Sequence, residues 1–474
     1  MKRTTKLIDN IDYITIGLYF LLVLMGWLNI YSAVYNENHV SIFDISQRYG
    51  KQLMWIGASV VIIAIILLID SSFFPMFSYP IYIFTVLLLI TVLLFGTEVN
   101  GARSWFQIGG FRLQPAEFTK FATNLAIAQF ISSYNFKLMK FKNLLIVGFI
   151  LFFPALLILL QNDTGSALVY FSFVLVLYRE GLPGSILLVG LLLAAIFIAT
   201  LISNVFIVSI LLLTITFLAY FIIRRKVSET MKAIIIVFGI STLLWGIFKA
   251  FSIDVVPQYF LFTGIGISII IFAWFAFKHK LSYIFILSSI VVGGILFSFS
   301  VNYIFNNVLE SHQQDRINNL LGIEFDPLGA GYNVNQSKIA IGSGGFYGKG
   351  FLQGTQTKYD FVPEQSTDFI FCTVGEEWGF LGTSAVLLIF TFFLFRLIII
   401  AERQRSSFSR IYGYGVVSIF FFHIIVNIGM TIGIAPVIGI PLPFFSYGGS
   451  SLWAFTILLF ILIKLDSNRM ELLQ

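Results

Sequence analysis

Charge is scarce in this chain, and so are cysteine and histidine. Only 11% of its 474 residues are Asp, Glu, Lys or Arg, whereas 58% are hydrophobic and 54 are Phe. So few charges cannot cover that much apolar side chain in a soluble domain, which excludes a water-soluble fold. The single cysteine, Cys372, excludes an internal disulfide and a thiolate metal cluster within one chain. The net charge of +6 is carried by short basic groups between apolar runs. That is the pattern of membrane topology, not of a nucleic-acid surface, so no nucleic-acid partner is expected. The basic opening MKRTTKLIDN leads into a long span without a small-residue cleavage site and reads as a retained first helix.

What is abundant is apolar runs of about twenty residues, the length that crosses a bilayer as a helix. They lie at Tyr13 to Val34, Gln52 to Ile69, Phe74 to Phe95, Ala116 to Tyr134, Asn143 to Leu160, Gly165 to Tyr178, Gly184 to Asn204 and Val205 to Ile223. Ala233 to Ala250, Tyr259 to Phe277 and Leu281 to Val301 follow, and three more begin near Asp368, Ile411 and Ser451. The expected fold is an all-α polytopic membrane protein with about fourteen spans and a long extracytoplasmic loop. The chain divides into residues 1–178 and 368–474 as two transmembrane parts of a core, 179–301 as additional helices, and 302–367 as that loop.

Lys and Arg give the orientation. With Lys2, Arg3 and Lys6 in the cytoplasm, the groups at Lys137 to Lys142, Arg224 to Lys226, Lys278 to Lys280 and Arg403 to Arg410 all fall inside. Three loops are then outside: GARSWFQIGGFRLQP, residues 302–367, and PLPFFSYGGSS. These hold most of the unusual Gly, Pro, Arg and carboxylate residues, so function is expected on the outer face.

Asp368 stands out among the acids. It comes at the water end of a span, after Pro363, Glu364 and Thr367, where a carboxylate is costly unless it faces a partner, a cavity or a substrate. There it suits a general base for a hydroxyl nucleophile or a holder of a divalent cation against a diphosphate; the plain alternative is a helix-terminal residue favoured by the dipole. Glu376 and Glu377 lie roughly 12 to 14 Å deeper on the same helix, where buried pairing competes with function. Glu117, Lys120 and Asn124 form an i, i+3, i+7 stripe after Pro115, either an internal ion pair or a substrate-facing set. Arg103, Trp105 and Arg112 suit a phosphate or a sugar face, and Lys338 and Lys349 suit anionic groups. GSGGFYGKG is not a P-loop, because no glycine lies five positions before Gly348 and Gly350 occupies the Ser/Thr place. Its glycines read as a compact lid or as close approach to a ligand. Asp163 reads as a helix cap, and His423 with Asn427 as helix packing.

Five segments in order, GARSWFQIGGFRLQPAEFTK, QNDTGSAL, DPLGAGYNVNQSKIAIGSGGFYGKGFLQGTQ, VPEQSTDFIFCTVGEEWG and NIGMTIGIAPVIGIPLPFFSYGGSS, resemble the hallmark segments of the SEDS family (shape, elongation, division and sporulation). SKIAIGSGG followed by GKG and GTQ is more similar to the elongation branch than to the division branch. The resemblance implies a peptidoglycan glycosyltransferase that polymerises lipid II into nascent glycan at the outer face of the bacterial cytoplasmic membrane, with Asp368 as the catalytic aspartate. It also implies a class B penicillin-binding protein as the crosslinking partner, since the chain has no SxxK nucleophile of its own. Candidates for the substrate diphosphate are Arg103, Lys120, Lys338 and Lys349, with Glu117 beside them and Mg²⁺ or Mn²⁺ held at Asp368; membrane lipids surround the spans. Two departures from the family pattern stand out. Ser366 occupies the place where the family often has His, and residues 184–301 hold five spans where one is expected. The competing class is a flippase or transporter of lipid II, which many spans and intramembrane charges also suit. Against it, the polar signals collect on one side. A non-catalytic scaffold would leave Asp368 without a role.

Overall fold

The structure, a computed structural model, describes residues 10–35, 41–99, 101–109, 111–251, 256–309, 311–321, 331–359 and 361–469. The basic N-terminus, Asp254 and residues 322–330, with all of DPLGAG but its last glycine, lie outside them. The chain forms two compact units: residues 1–183 with 324–474, and residues 184–323.

The first unit begins with α1 (Tyr13–Ala33), α2 (Arg48–Leu68) and α3 (Phe73–Phe95). The segment GARSWFQIGGFRLQP, with the stretch just before it, is not irregular. It folds as an antiparallel sheet of β1 (Thr97–Val99), β2 (Ala102–Ile108) and β3 (Phe111–Leu113), with Thr97 opposite Trp105 and Gln107 opposite Arg112. Next come α4 (Pro115–Ile131), which starts with proline at its first turn as the missing N–H allows, α5 (Phe141–Leu160), and the short α6 (Thr164–Leu168) and α7 (Phe173–Arg179), separated by a 3₁₀ turn. The second unit holds α8 (Gly184–Ile202), α9 (Val205–Arg224), α10 (Val227–Ala250), α11 (Pro257–His279), α12 (Ser282–Asn307) and α13 (Ser311–Leu321). The first unit resumes with α14 (Tyr332–Ser343), α15 (Thr355–Lys358), α16 (Ile370–Glu402), α17 (Ser407–Thr431) and α18 (Gly449–Ser467).

Among the described residues, twelve helices are long and apolar enough to cross a membrane. The other two segments read as spans are shorter: α4 has 17 residues, and Thr164–Arg179 is broken by its 3₁₀ turn. The region 302–367, expected as a loop, carries the end of α12 and the helices α13, α14 and α15.

One piece of that region is built into α16. At Gly379 the backbone leaves the helix, with φ 62° and ψ −156°, a conformation open only to glycine. Such a break orphans carbonyls before it and N–H groups after it, and residues 345–350 take up both. Lys349 and Gly350 donate their N–H to the carbonyls of Glu376 and Glu377 at 3.0 Å each, while Phe380 and Leu381 donate theirs to Gly345 and Phe346 at 2.9 and 3.2 Å. Gly348, at φ 81°, packs so closely that a Cβ would collide with the Glu377 carbonyl. Gly344 and Gly348 of GSGGFYGKG therefore serve close backbone packing against α16.

The core of the first unit is aromatic. Phe393 meets Phe420 edge-on at 5.4 Å, and Phe420 meets Phe455 at 5.6 Å. At the end of α16 away from Asp368, Arg396 pairs with the buried Asp12, and Arg403 and Gln404 with the buried Asp466, tying α1, α16 and α18 together.

Candidate active site

Asp368 lies in the turn ahead of α16, outside the spanning segment and partly buried. Three successive carbonyls hold this turn in place. That of Ser366 accepts the Tyr447 N–H at 2.8 Å, that of Thr367 the Ser446 hydroxyl at 2.6 Å, and that of Asp368 the Asn427 amide at 2.8 Å. Asn427 also donates to the Ile440 carbonyl at 2.7 Å, so one buried amide joins the turn to the loop after α17. The backbone is anchored and the carboxylate is not: no donor among the described residues hydrogen-bonds to its oxygens. Gly439, at φ 67°, stands so near that a Cβ would lie 3.4 Å from Oδ2.

Desolvation, followed by the like charges of Glu364 and Asp163, pushes the Asp368 carboxyl up to about 7. Asp163 caps α6 as expected, accepting the Ser166 N–H at 3.0 Å, and takes a second bond from Gln114 at 2.7 Å. Its turn is stitched to the sheet, where the Arg103 N–H donates to the Gln161 carbonyl at 3.0 Å. The far end of the sheet is stitched to α18: Ser450 donates to the Arg112 carbonyl and accepts the Gln114 N–H. The sheet, the QND turn, the STD turn and the PLPFFSYGGSS loop thus converge on one place.

The cations expected near this place divide into two groups. Arg103 is exposed on β2 beside the Asp163 turn, and Lys338 is exposed on α14, its side chain laid over Gly433. Lys349 instead binds the buried Glu376 at 2.6 Å and Thr355 at 2.7 Å, and Glu376 also accepts the N–H groups of Thr355, Gln356 and Thr357. Lys120 binds Glu117 at 2.7 Å and His423 at 3.1 Å, with both members of the ion pair 3% exposed and the ammonium 5.5 Å from the Phe455 ring centroid. The stripe on α4 therefore closes on α17 and α18 as an internal pair, and Glu117, Lys120 and Lys349 point at protein groups.

Arg48 is the cation that sequence reasoning missed. Its guanidinium donates to the Ser366 hydroxyl at 2.5 Å, lies 3.8 Å from Glu364 and sits 5.9 Å from the Tyr447 ring centroid, yet remains exposed. The available signal was an arginine at an end of a span that the Lys and Arg pattern assigns to the outside, against the bias of the other basic residues. Among the described residues, no three His, Cys, Asp or Glu side chains are grouped to hold a metal ion. The donors at Asp368 suit a Mg²⁺-type ion, which keeps several waters and takes one carboxylate together with substrate phosphate oxygens.

A partly desolvated acid and exposed cations at one end of a helical bundle define a polytopic membrane protein with a polar site at that end. A family model described as cell cycle protein, spanning FtsW, RodA and SpoVE, matches residues 12–213 and 207–471. The chain is 33% identical over 466 residues to the peptidoglycan glycosyltransferase RodA of Treponema pallidum, covering 98% of this chain and 99% of that one. It is 30% identical over 435 residues to the peptidoglycan glycosyltransferase MrdB of Escherichia coli K12, covering 91% and 88%. In fold it is similar to a chain from a solved structure described as structural coordination of polymerization and crosslinking by a peptidoglycan synthase complex, with a TM-score of 0.65, 22% identity and coverage of 98% and 99%. It is also similar to the crystal structure of the rod shape determining protein RodA of Thermus thermophilus, with a TM-score of 0.57, 21% identity and the same coverage. The chain belongs to the FtsW, RodA and SpoVE family, the SEDS proteins.

Proposed function

We propose that this enzyme is a peptidoglycan glycosyltransferase that polymerises lipid II for cell elongation, acting at the outer face of the bacterial cytoplasmic membrane. The observation that carries the reading is Asp368: a carboxylate whose turn is fixed at three consecutive carbonyls while no donor among the described residues reaches its own oxygens. That is the state a general base needs, positioned but not neutralised by an internal partner. Asp368 takes the proton of the acceptor hydroxyl as that oxygen bonds to the sugar carbon, and the carbon–oxygen bond to the diphosphate breaks, its electron pair leaving with the lipid diphosphate. Arg48, Arg103 and Lys338 supply positive charge to the leaving group. Mg²⁺ or Mn²⁺ held by Asp368 would add charge neutralisation at the diphosphate. Glu117, Lys120 and Lys349 belong to the scaffold in this reading.

A class B penicillin-binding protein is the proposed transpeptidase partner, in line with the synthase complex to which the fold is similar. The names of the RodA and MrdB relatives favour elongation over a division role. A flippase reading lacks a comparable observation, since the groups around Asp368 collect at one end of the helices whereas alternating access needs groups reachable from both. The test is glycan formation from lipid II by purified protein, with and without the transpeptidase, in Mg²⁺, Mn²⁺ or EDTA. Transfer of lipid II across vesicles without any polymer would replace the glycosyltransferase by the flippase.

A further inference from the structure

The second unit contains a cavity of about 450 Å³ between α9, α10, α11 and α12, within the roughly 300–1,000 Å³ of small-ligand sites. Its walls are apolar, formed by Leu213, Phe217, Ile265, Ile269, Phe272 and Val291, and its charged lining is confined to one end, at Arg224, Glu229 and Lys232. From Arg224 to Leu213 along α9 is about 16 Å at 1.5 Å per residue. One leaflet of a bilayer core is about 15 Å, half of roughly 30 Å. The cavity is an apolar shaft one leaflet deep with a charged mouth.

The charge at the mouth is unbalanced. Glu229 lies between Arg224, at 2.7 Å, and Lys226, at 3.2 Å, while Lys232 is exposed without an ion-pair partner among the described residues. Lys278 stands 5.3 Å from the ring centroid of Trp274, which also lines the cavity. Two cations, Arg224 and Lys232, thus line the mouth with one carboxylate, Glu229, which Lys226 also contacts. Nearby, the buried hydroxyl of Tyr283 has no hydrogen-bond partner, its ring 6.2 Å from that of Tyr220 in the cavity lining. A soluble anion would use the mouth but leave the shaft empty, and a neutral hydrocarbon would use the shaft but not the cations. A molecule that combines both is abundant around every membrane helix.

We propose that this cavity binds an anionic glycerophospholipid, with one acyl chain in the shaft and the phosphodiester at Arg224 and Lys232. In the orientation given by Lys and Arg, this end faces the cytoplasmic leaflet, where basic pockets between helices hold anionic headgroups. The site shares no residue with the one around Asp368, and the proposal stands apart from glycosyl transfer.

Brominated acyl chains quench tryptophan on contact, and Trp274 provides the reporter. Full-length protein in detergent is titrated with brominated phosphatidylglycerol and, separately, with brominated phosphatidylcholine. Phosphatidylglycerol is expected to give saturable quenching at least tenfold tighter than phosphatidylcholine, with the saturable component missing in Trp274→Phe. Arg224→Ala combined with Lys232→Ala should weaken it tenfold or more. Ser288→Phe, which fills the shaft without touching a charge, should remove it and serves if the double variant does not fold. Equal binding of the two lipids, saturable quenching that survives in Trp274→Phe, or quenching that survives Ser288→Phe overturns the proposal.

Discussion

The two units of this protein handle polar groups in opposite ways. In the first, side chains reach across helices: Tyr19 to Ser59 and Thr456, Asn124 to the Tyr412 carbonyl, Asn427 to the Asp368 and Ile440 carbonyls, Lys120 to His423. In the second, the hydroxyls of Ser209, Ser241, Thr263 and Ser268 return to the carbonyl four residues back on their own helix. The side-chain bond between Thr200 and Ser298, at 2.7 Å, joins α8 to α12. Burial separates the extremes in the same direction, with 83% of the most apolar stretch of α18 and 67% of that of α17 buried against 11% in α8 and α10, while α2 at 22% matches α9 and α16 at 33% matches α11. Lipid gives helices no hydrophobic reason to associate, so interhelical polar bonds and close packing set the geometry. The first unit is therefore built to hold atoms in fixed places, and the second is built to meet lipid.

The sharpest way to break this contrast is to cut a polar link in the first unit. Lys120→Met leaves Glu117 as an uncompensated buried charge, which costs about 3–5 kcal/mol. Thermal unfolding of the detergent-solubilised protein should move down by many degrees, and adding Glu117→Gln should restore most of the loss. The matching cut in the second unit, Arg224→Ala, breaks a pair whose side chains are 33% and 27% exposed, and should barely move the unfolding temperature, because solvent screens such a pair. Similar losses at the two places would erase the distinction.

Asp368→Asn keeps the size of the side chain and removes its basicity, so polymer formation from lipid II should fall by about 10²-fold or more. With the carboxyl at about 7, activity of the unmodified protein should climb between pH 6 and 8, as the base becomes ionised. Stability should show the opposite trend. The folded chain holds this proton up to about pH 7 while the unfolded chain releases it near its ordinary value of 3.8, so stability declines as pH rises through that window. Asp368→Asn should unfold at a higher temperature than the parent at pH 8, and at nearly the same temperature at pH 4. Near-normal polymer from the variant would remove Asp368 from the mechanism.

Asp368 was legible in the sequence because an acid at the mouth of a span is anomalous by itself, whatever surrounds it. The spans were legible because hydropathy is a local sum. The pairing of Lys349 with Glu376 was not, since it depends on a break at Gly379 that draws in a segment some thirty positions earlier. Lys120 was seen with both of its possible roles, and only packing against His423 and Phe455 separates them. The small sheet escaped because two of its strands, β1 and β3, have three residues each, too few to carry a periodic signal. Arg48 escaped because its meaning comes from Ser366, at the other end of the chain.

Arg48 gives an effect of intermediate size. Arg48→Ala removes the bond to Ser366 and one exposed cation; losing one charge-assisted hydrogen bond to the substrate diphosphate, about 1.5–3 kcal/mol, corresponds to roughly a ten- to hundredfold loss. The loss should fall mainly on the lipid II concentration needed for half-maximal rate, and Arg48→Lys should recover part of it by keeping the charge. An unchanged concentration dependence in Arg48→Ala would place this arginine outside the site.

The smallest effect is expected in the second unit. Lys249 lies at the end of α10 with its ammonium 4.8 Å from the Trp245 ring centroid, an exposed cation–π contact of about 0.5–1 kcal/mol. It is the kind of contact a lipid-facing helix keeps at a membrane interface, where Trp and Lys anchor the helix against the headgroups. Among the described residues it takes part in no interhelical link of the sort that positions Asp368. Lys249→Ala should therefore leave polymer formation within about twofold of the parent, a change under about 0.5 kcal/mol, and barely move the unfolding temperature. A tenfold loss of activity from correctly folded Lys249→Ala would mean that the second unit acts in catalysis, and that scarcity of interhelical polar bonds does not separate the scaffold from the site in this protein.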